Sequence, residues 1–200
     1  MQDVYVVSAV RTAVGKANKG SLVQCRPDEM AAVVIKEAIG RAGVPAGRVQ
    51  DIVLGCAFPE GSQGMNIARV AQARAGIPDS VPGITINRFC SSGLEAQAIA
   101  GAKLEAGLLG VAVAGGVESM SSIPMGGLKY EPNPALTRER PEVYIAMGHC
   151  GDNVAREFKL RREELDAWAL RSHQRAVNAI DQGLFTEEIV PLDVTTPAGS

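Results

Sequence analysis

Two hydrophobic rhythms alternate along the first 120 residues of this 200-residue chain. Val4-Tyr5-Val6-Val7 is a short β-branched and aromatic run, which reads as a buried strand. After a Gly-containing loop, Pro27-Asp28-Glu29 opens a helix in which Asp28 can cap and Glu29 suits the positive N-terminal end. Ala31, Val34, Ile35 and Ala38 then recur at i, i+3, i+4 and i+7, and Gly43 stops the helix before Pro45. Ile52-Val53-Leu54 is the next strand, and residues 65–75 form a second helix ended by Gly76 and Pro78. Ile84-Thr85-Ile86 is a third strand, residues 92–106 a third helix, and Val111-Ala112-Val113-Ala114 a fourth strand. This alternation predicts βαβ crossovers, hence an α/β fold whose mostly parallel sheet carries helices on both faces.

Past residue 120 the rhythm stops. SMSSIPMGGLKYEPNPALTRERPE is rich in Ser, Gly and Pro and has no apolar period. Its length marks it as a functional loop or an excursion. Two helices are expected after it. Met147, Gly151, Val154, Ala155 and Phe158 share one face of the first. Leu165, Trp168, Ala169, Ser172 and Ala176 share one face of the second, which opens on the charged run 161–164. Residues 1–120 therefore read as a core domain, and 121–200 as a helical insertion that leaves the sheet after its fourth strand. The strand-like Ile189-Val190 and the PLDVTTPAGS that follows read as mid-structure.

Composition narrows the function classes. Twenty Lys and Arg against 22 Asp and Glu give a formal charge of −2, and aromatics are 4% of residues. Neither a phosphate-neutralising face nor base-stacking platforms are on offer, so no nucleic-acid partner is expected. With 46% apolar residues the chain is not disordered. No run of about 18 uncharged apolar residues exists for a membrane span. Met1-Gln2-Asp3 lacks the basic start of a signal peptide. Cys25, Cys56, Cys90 and Cys150 form no CxxC pair, which argues against a zinc cluster or a redox dithiol. Free thiols in a cytoplasmic, reducing setting are the simplest reading, with an organellar matrix left open. Only His149 and His173 are present, so histidine chemistry has few candidates.

Chemistry concentrates at residues 83–107, GITINRFCSSGLEAQAIAGAKLEAG. A strand ends near Asn87, Cys90 follows, and Ser91-Ser92-Gly93 begins a helix. A cysteine there sits at the positive end of the helix, which favours the thiolate. The nearby N–H groups of Ser91, Ser92 and Gly93 offer donors for an oxyanion. The residues alone leave two readings open, a nucleophile or a small buried hydrophobe. The helix itself is built of small residues: Ala96, Ala98, Ala100, Gly101 and Ala102. Other candidates are less specific. Gly115-Gly116 follows a strand, but no GxGxxG or P-loop pattern is present. Glu118 lies where α/β sheets place their sites, and reads as a site carboxylate or a hydrogen-bonding anchor of its loop. His149 reads as a base or a partly buried structural residue, His173 as a solvated helix residue, and Cys25 and Cys56 as structural.

NRFCSSGLEA at residues 87–96 closely resembles the N-terminal active-site motif of thiolases, N-[RQ]-x-C-[SG]-S-G-x-[EQR]-A. Further segments agree in order: VSAVRTAVGK at 7–16, AGGVESMS at 114–121, Met147-Gly148, SHQRA at 172–176 and EIVP at 188–191. The resemblance covers essentially the whole chain. It implies a thiolase-like α/β fold of two similar halves, with a loop domain inserted in the first, and makes this chain the first half. It implies thiolytic cleavage of a 3-ketoacyl-CoA by coenzyme A, or the reverse condensation, with Cys90 as the acyl-carrying nucleophile. The activating histidine and a second cysteine would belong to the C-terminal half. Coenzyme A is then a co-substrate, no tightly bound cofactor or metal is implied, and a homodimer or homotetramer is expected.

Asn87-Arg88, Ser91-Ser92 and Ala146 resemble the degradative enzymes of fatty acid β-oxidation more than biosynthetic acetoacetyl-CoA thiolases. Met147 is carried over as a substrate-binding residue. MGHCGDNVA at 147–155 departs from the family's MG-x-T-A-E-N-V-A at Cys150 and Gly151. The alternatives are a biosynthetic thiolase, a non-catalytic CoA-binding or dimerisation module, and a condensing enzyme of the ketoacyl-synthase type.

Overall fold

Strand β1 (Asp51–Gly55) is buried along its whole length. It pairs in parallel with β2 (Gly83–Ile86) on one side and β3 (Ala112–Gly116) on the other, an order of β2-β1-β3. The computed structural model describes residues 2–194. Side chains alternate across a strand, so Ile52 and Leu54 face one way and Val53 the other. Ile52 and Leu54 pack with Ala31, Ile35 and Ile39 of α1 (Pro27–Arg41) and with Ala68 and Ala71 of α2 (Ile67–Arg74). Val53 packs with Ala96 and Ala100 of α3 (Ser92–Glu105). Helix α2 links β1 to β2 on one face, and α3 links β2 to β3 on the other. Reversing direction and face together is what the right-handed crossover rule requires.

Of the small residues expected of α3, Ala96 and Ala100 are buried against the sheet, whereas Ala98 and Ala102 are exposed and a Cβ on Gly101 would meet nothing. A Cβ on Gly55 would lie 2.4 Å from the backbone carbon of Ser92, so the strand end and the helix start touch through backbone. Near the far end of the helix, Lys103 Nζ meets the buried carboxylate of Asp51 at 2.6 Å.

The first expected strand does not form. Val4-Tyr5-Val6-Val7 is exposed, and Val6 is 85% exposed. Its composition suits a strand, but a strand needs a neighbour for its backbone N–H and C=O groups. No described segment pairs with it or with the outer edge of β3. A groove of about 510 Å³ is lined by residues 4–12 and by residues of β3, α1 and α3. Asp28 does not cap α1 either. Arg26 holds that position, and the Asp28 carboxylate accepts from its guanidinium at 2.8 and 3.0 Å.

Lys129–Thr186 form a second compact unit, and the chain belongs to the first again from Glu187. The return is a single parallel bridge between Ile189 and Arg11, with an Arg11–Glu188 ion pair at 2.6 Å. The division thus falls inside the 121–200 span expected from sequence. Residues 195–200 of the PLDVTTPAGS stretch lie outside the described residues. The second unit holds α4 (Pro134–Glu139), α5 (Met147–Glu157) and α6 (Arg162–Asp181). Helix α4 lies in the stretch read as loop. Asn133 accepts from the N–H groups of Ala135 and Leu136 at 2.9 and 3.0 Å, and Pro134 takes the first helical position. That start signal needs no apolar period. No residue of α5 or α6 is buried, and their apolar faces are formed but exposed. Among the described residues no helix is long and apolar enough to cross a membrane.

Candidate active site

Because the three strands are parallel, their carboxyl ends share one edge of the sheet, where open α/β folds place their sites. From β2 the chain turns through residues 87–91 into α3. Asn87 accepts from the Phe89 N–H through Oδ1 and donates to the Ala57 carbonyl through Nδ2, both at 2.8 Å. Phe89 has φ 46°, a left-handed conformation that a bulky residue keeps only where its surroundings hold it. Its ring lies against Phe58, centroids 6.0 Å apart. Ser91 Oγ and N–H both donate to the Arg88 carbonyl, at 2.9 and 3.2 Å. Ser92 Oγ donates to the Phe89 carbonyl at 2.6 Å and accepts from the Arg88 N–H at 2.8 Å. Arg88 reaches Glu95, in the first turn of α3, at 3.2 Å. Cys90, in the middle of the turn, is exposed. The buried-hydrophobe alternative for this cysteine does not hold. An exposed thiol at the positive end of a helix is placed to attack an electrophile from solvent.

The loops after β1 and β3 meet beside this turn. Glu118, just past β3, accepts the Ala57 N–H at Oε2, 2.6 Å away. Its Oε1 accepts from Gln63 Nε2 and faces Cys56 Sγ at 3.9 Å. Gln63 is fully buried, donates to the Phe58 carbonyl at 2.8 Å and accepts from the Ser119 N–H at 3.0 Å. Burial, and then the Glu118 carboxylate, push the Cys56 thiol up from 9.0 to about 11, which keeps it protonated and inert at neutral pH. Burial likewise raises Cys25, with Glu29 and Asp28 adding to it.

Cys90, Ser91, Ser92 and Gly93 are brought together at this edge. Ser91 and Ser92, expected as oxyanion donors, direct their hydroxyls and N–H groups to the Arg88 and Phe89 carbonyls and so shape the turn. Gly93 lies in the first turn of α3. Met147 opens α5 in the second unit and is 65% exposed. His149 is exposed, its Nδ1 4.0 Å from Asp152, which removes the partly buried structural reading; His173 is exposed on α6. Glu118 anchors the loop after β1, through the Ala57 N–H and the Gln63 amide. Gln63 and Phe58 carry no sequence signal, since their partners Ser119 and Phe89 lie far along the chain. Among the described residues no group of three or more His, Cys, Asp or Glu could hold a metal ion.

Known proteins share this arrangement of chain. The family model described as "Thiolase, N-terminal domain" matches residues 4–200. A 3-ketoacyl-CoA thiolase of Bacillus subtilis is 49% identical over 195 residues, covering 98% of this chain and 50% of that protein. The peroxisomal 3-ketoacyl-CoA thiolase 5 of Arabidopsis thaliana is 41% identical, covering 95% of this chain and 42% of its own. The crystal structure of the Acat5 thiolase from Ascaris suum in complex with coenzyme A matches with a TM-score of 0.82 at 33% identity, over 96% of this chain and 52% of that one. The chain spans about half the length of the curated relatives it matches.

Proposed function

Since this chain belongs to the thiolase family, matching its N-terminal domain, we propose that Cys90 is the nucleophile of a thiolytic acyl transfer completed by a second, similar half of the protein. The observation that carries the proposal is the exposed thiol on the strand-to-helix turn at the carboxyl edge of the sheet. The Cys90 thiolate attacks the ketone carbon of a 3-ketoacyl-CoA. The bond between that carbon and the α-carbon breaks, and the departing enolate takes a proton to become acetyl-CoA. The shortened acyl group stays on Sγ as a thioester until the thiolate of coenzyme A attacks it and expels Cys90. The histidine that activates the thiol and the second cysteine that handles the α-proton come from the other half. Gly93 and the N-terminal end of α3 favour negative charge at the turn.

Coenzyme A enters as co-substrate. Met147, exposed on the second unit, is assigned to substrate contact. Asn87-Arg88 and Ser91-Ser92 favour the degradative direction on longer 3-ketoacyl chains, as in fatty acid β-oxidation. The four free cysteines suit a reducing, cytoplasmic setting, and a homodimer or homotetramer belongs to the same reading. In the full-length protein, incubation with acetyl-CoA should label Cys90 by mass spectrometry. Cys90→Ser should lower kcat for thiolysis by about a thousandfold or more with thermal unfolding unchanged. Wild-type turnover in that variant removes Cys90 from the mechanism.

A further inference from the structure

We propose that Glu118 is a positioning residue for Cys90, acting through Ala57 and Asn87; this rests on Cys90 being the nucleophile. The turn that presents Cys90 depends on Phe89, whose left-handed φ of 46° has to be held from outside. The holding contact is the Asn87 side chain, which accepts from the Phe89 N–H while donating to the Ala57 carbonyl. Ala57 is in turn fixed by its own N–H, donated to Glu118 Oε2. The polar chain therefore runs Glu118, Ala57, Asn87, Phe89, and the next residue is Cys90. A second route converges on the same place, because Gln63 ties both Glu118 and the carbonyl of Phe58, whose ring backs Phe89.

The chemistry at Glu118 calls for a carboxylate. Three donors approach it: the Ala57 N–H, the Gln63 amide and the Cys56 thiol. The orientation of Gln63 is set by the Ser119 N–H, which takes its oxygen and leaves its NH₂ for Glu118. A carboxylate is acceptor-only and serves all three; an amide would turn its own NH₂ toward one of them. Both oxygens of Glu118 are thus engaged in holding the loop after β1, which assigns it to positioning and not to proton transfer.

The test uses the full-length protein and two readouts, steady-state kinetics and the rate of Cys90 alkylation by iodoacetamide followed by mass spectrometry. Glu118→Ala and Asn87→Ala should each lower kcat by about tenfold to a hundredfold with KM nearly unchanged, as displacement of a reacting group does. Alkylation of Cys90 should slow in step. The double variant should lose no more than the worse single one, since both break one chain. Glu118→Gln should fall between Glu118→Ala and wild type. Values of kcat and alkylation rate within about twofold of wild type in folded Glu118→Gln and Asn87→Ala overturn the proposal, as does an additive double variant. If Glu118→Ala fails to fold, folded Glu118→Gln decides, with Asn87→Ala, at an exposed residue, as the reference for a broken turn. Full turnover in Cys90→Ser would instead sink the nucleophile reading, whatever Glu118 does.

Discussion

Helix α3 in the first unit is 14 residues long, six of them Ala or Gly, and buries Ser92, Ala96 and Ala100 against the sheet. Helix α6 in the second unit is 20 residues long, carries Leu165, Trp168 and Leu170, and buries none of them. The helix with the smaller side chains is the one fixed by tertiary packing. Gly55, with no Cβ, lets the backbone of Ser92 sit on the end of β1, and that approach carries the Cys90 turn to the strand ends. Helix α6 draws instead on local supports. The Glu164 carboxylate accepts from the Arg161 N–H at 2.8 Å, and Arg162 pairs with Asp166 one turn on at 2.9 Å. Such supports are each worth only a few tenths of a kcal/mol to about 1 kcal/mol. The two regions differ in what holds them, and substitutions should respond accordingly.

The largest effect is expected at Ile52. Its side chain is fully buried between β1 and helices α1 and α2. Ile52→Ala should cost about 2–5 kcal/mol, transfer and cavity terms together. Chemical denaturation of the 200-residue chain, followed by circular dichroism, would measure it. A cost below about 1 kcal/mol would mean that the sheet side is no better packed than the second unit.

What the chain discloses before its structure is seen follows the same division. The sheet is legible because Ile52-Val53-Leu54, Ile84-Thr85-Ile86 and Val111-Ala112-Val113-Ala114 are short runs rich in β-branched residues between helical periods, although only β1 is buried along its whole length. The Cys90 turn was legible because a strand end, a cysteine and a helix start fall within a few residues. Val4-Tyr5-Val6-Val7 has the same composition as a strand, yet pairing depends on a neighbour, which composition does not report. The Glu118–Gln63 cluster was out of reach because its members stand 55 positions apart. Helix α4 escapes the apolar period for the opposite reason: its signal, Asn133-Pro134, is wholly local and the helix buries no residue. Met147 as a substrate-binding residue rests on the resemblance alone, since no local pattern around it points to a ligand.

A smaller effect should separate the regions by pH. The Cys56 thiol is raised from 9.0 to about 11, by burial first and the Glu118 carboxylate second. A raised thiol means that the folded state favours the protonated form. That stabilisation is complete below about pH 9, where the unfolded thiol is also protonated, and is lost as pH rises through about 11. The stability gap between wild type and Cys56→Ala should therefore be constant up to pH 9 and shrink between pH 9 and 11. Denaturation of both proteins across that range would show it. A gap that stays flat would place the Cys56 thiol in contact with water.

The smallest effect is expected at Trp168, and it is the sharpest test of the contrast. The residue is 67% exposed, and its ring lies under the Arg171 guanidinium, 4.5 Å from centroid to carbon. At an exposed site such a cation–π contact is worth about 0.5–1 kcal/mol. Replacing Trp by Ala within a helix returns a similar amount through intrinsic propensity, since Ala is the best helix former and Trp lies mid-scale. The two changes oppose each other. Trp168→Ala in the 200-residue chain should thus alter unfolding free energy by no more than about 0.5 kcal/mol, the usual range for surface substitutions. Amide exchange across residues 162–181 would locate any change within α6. A loss of 2 kcal/mol or more, on the order expected of a core residue, would show that the second unit packs its helices as tightly as the first packs its sheet.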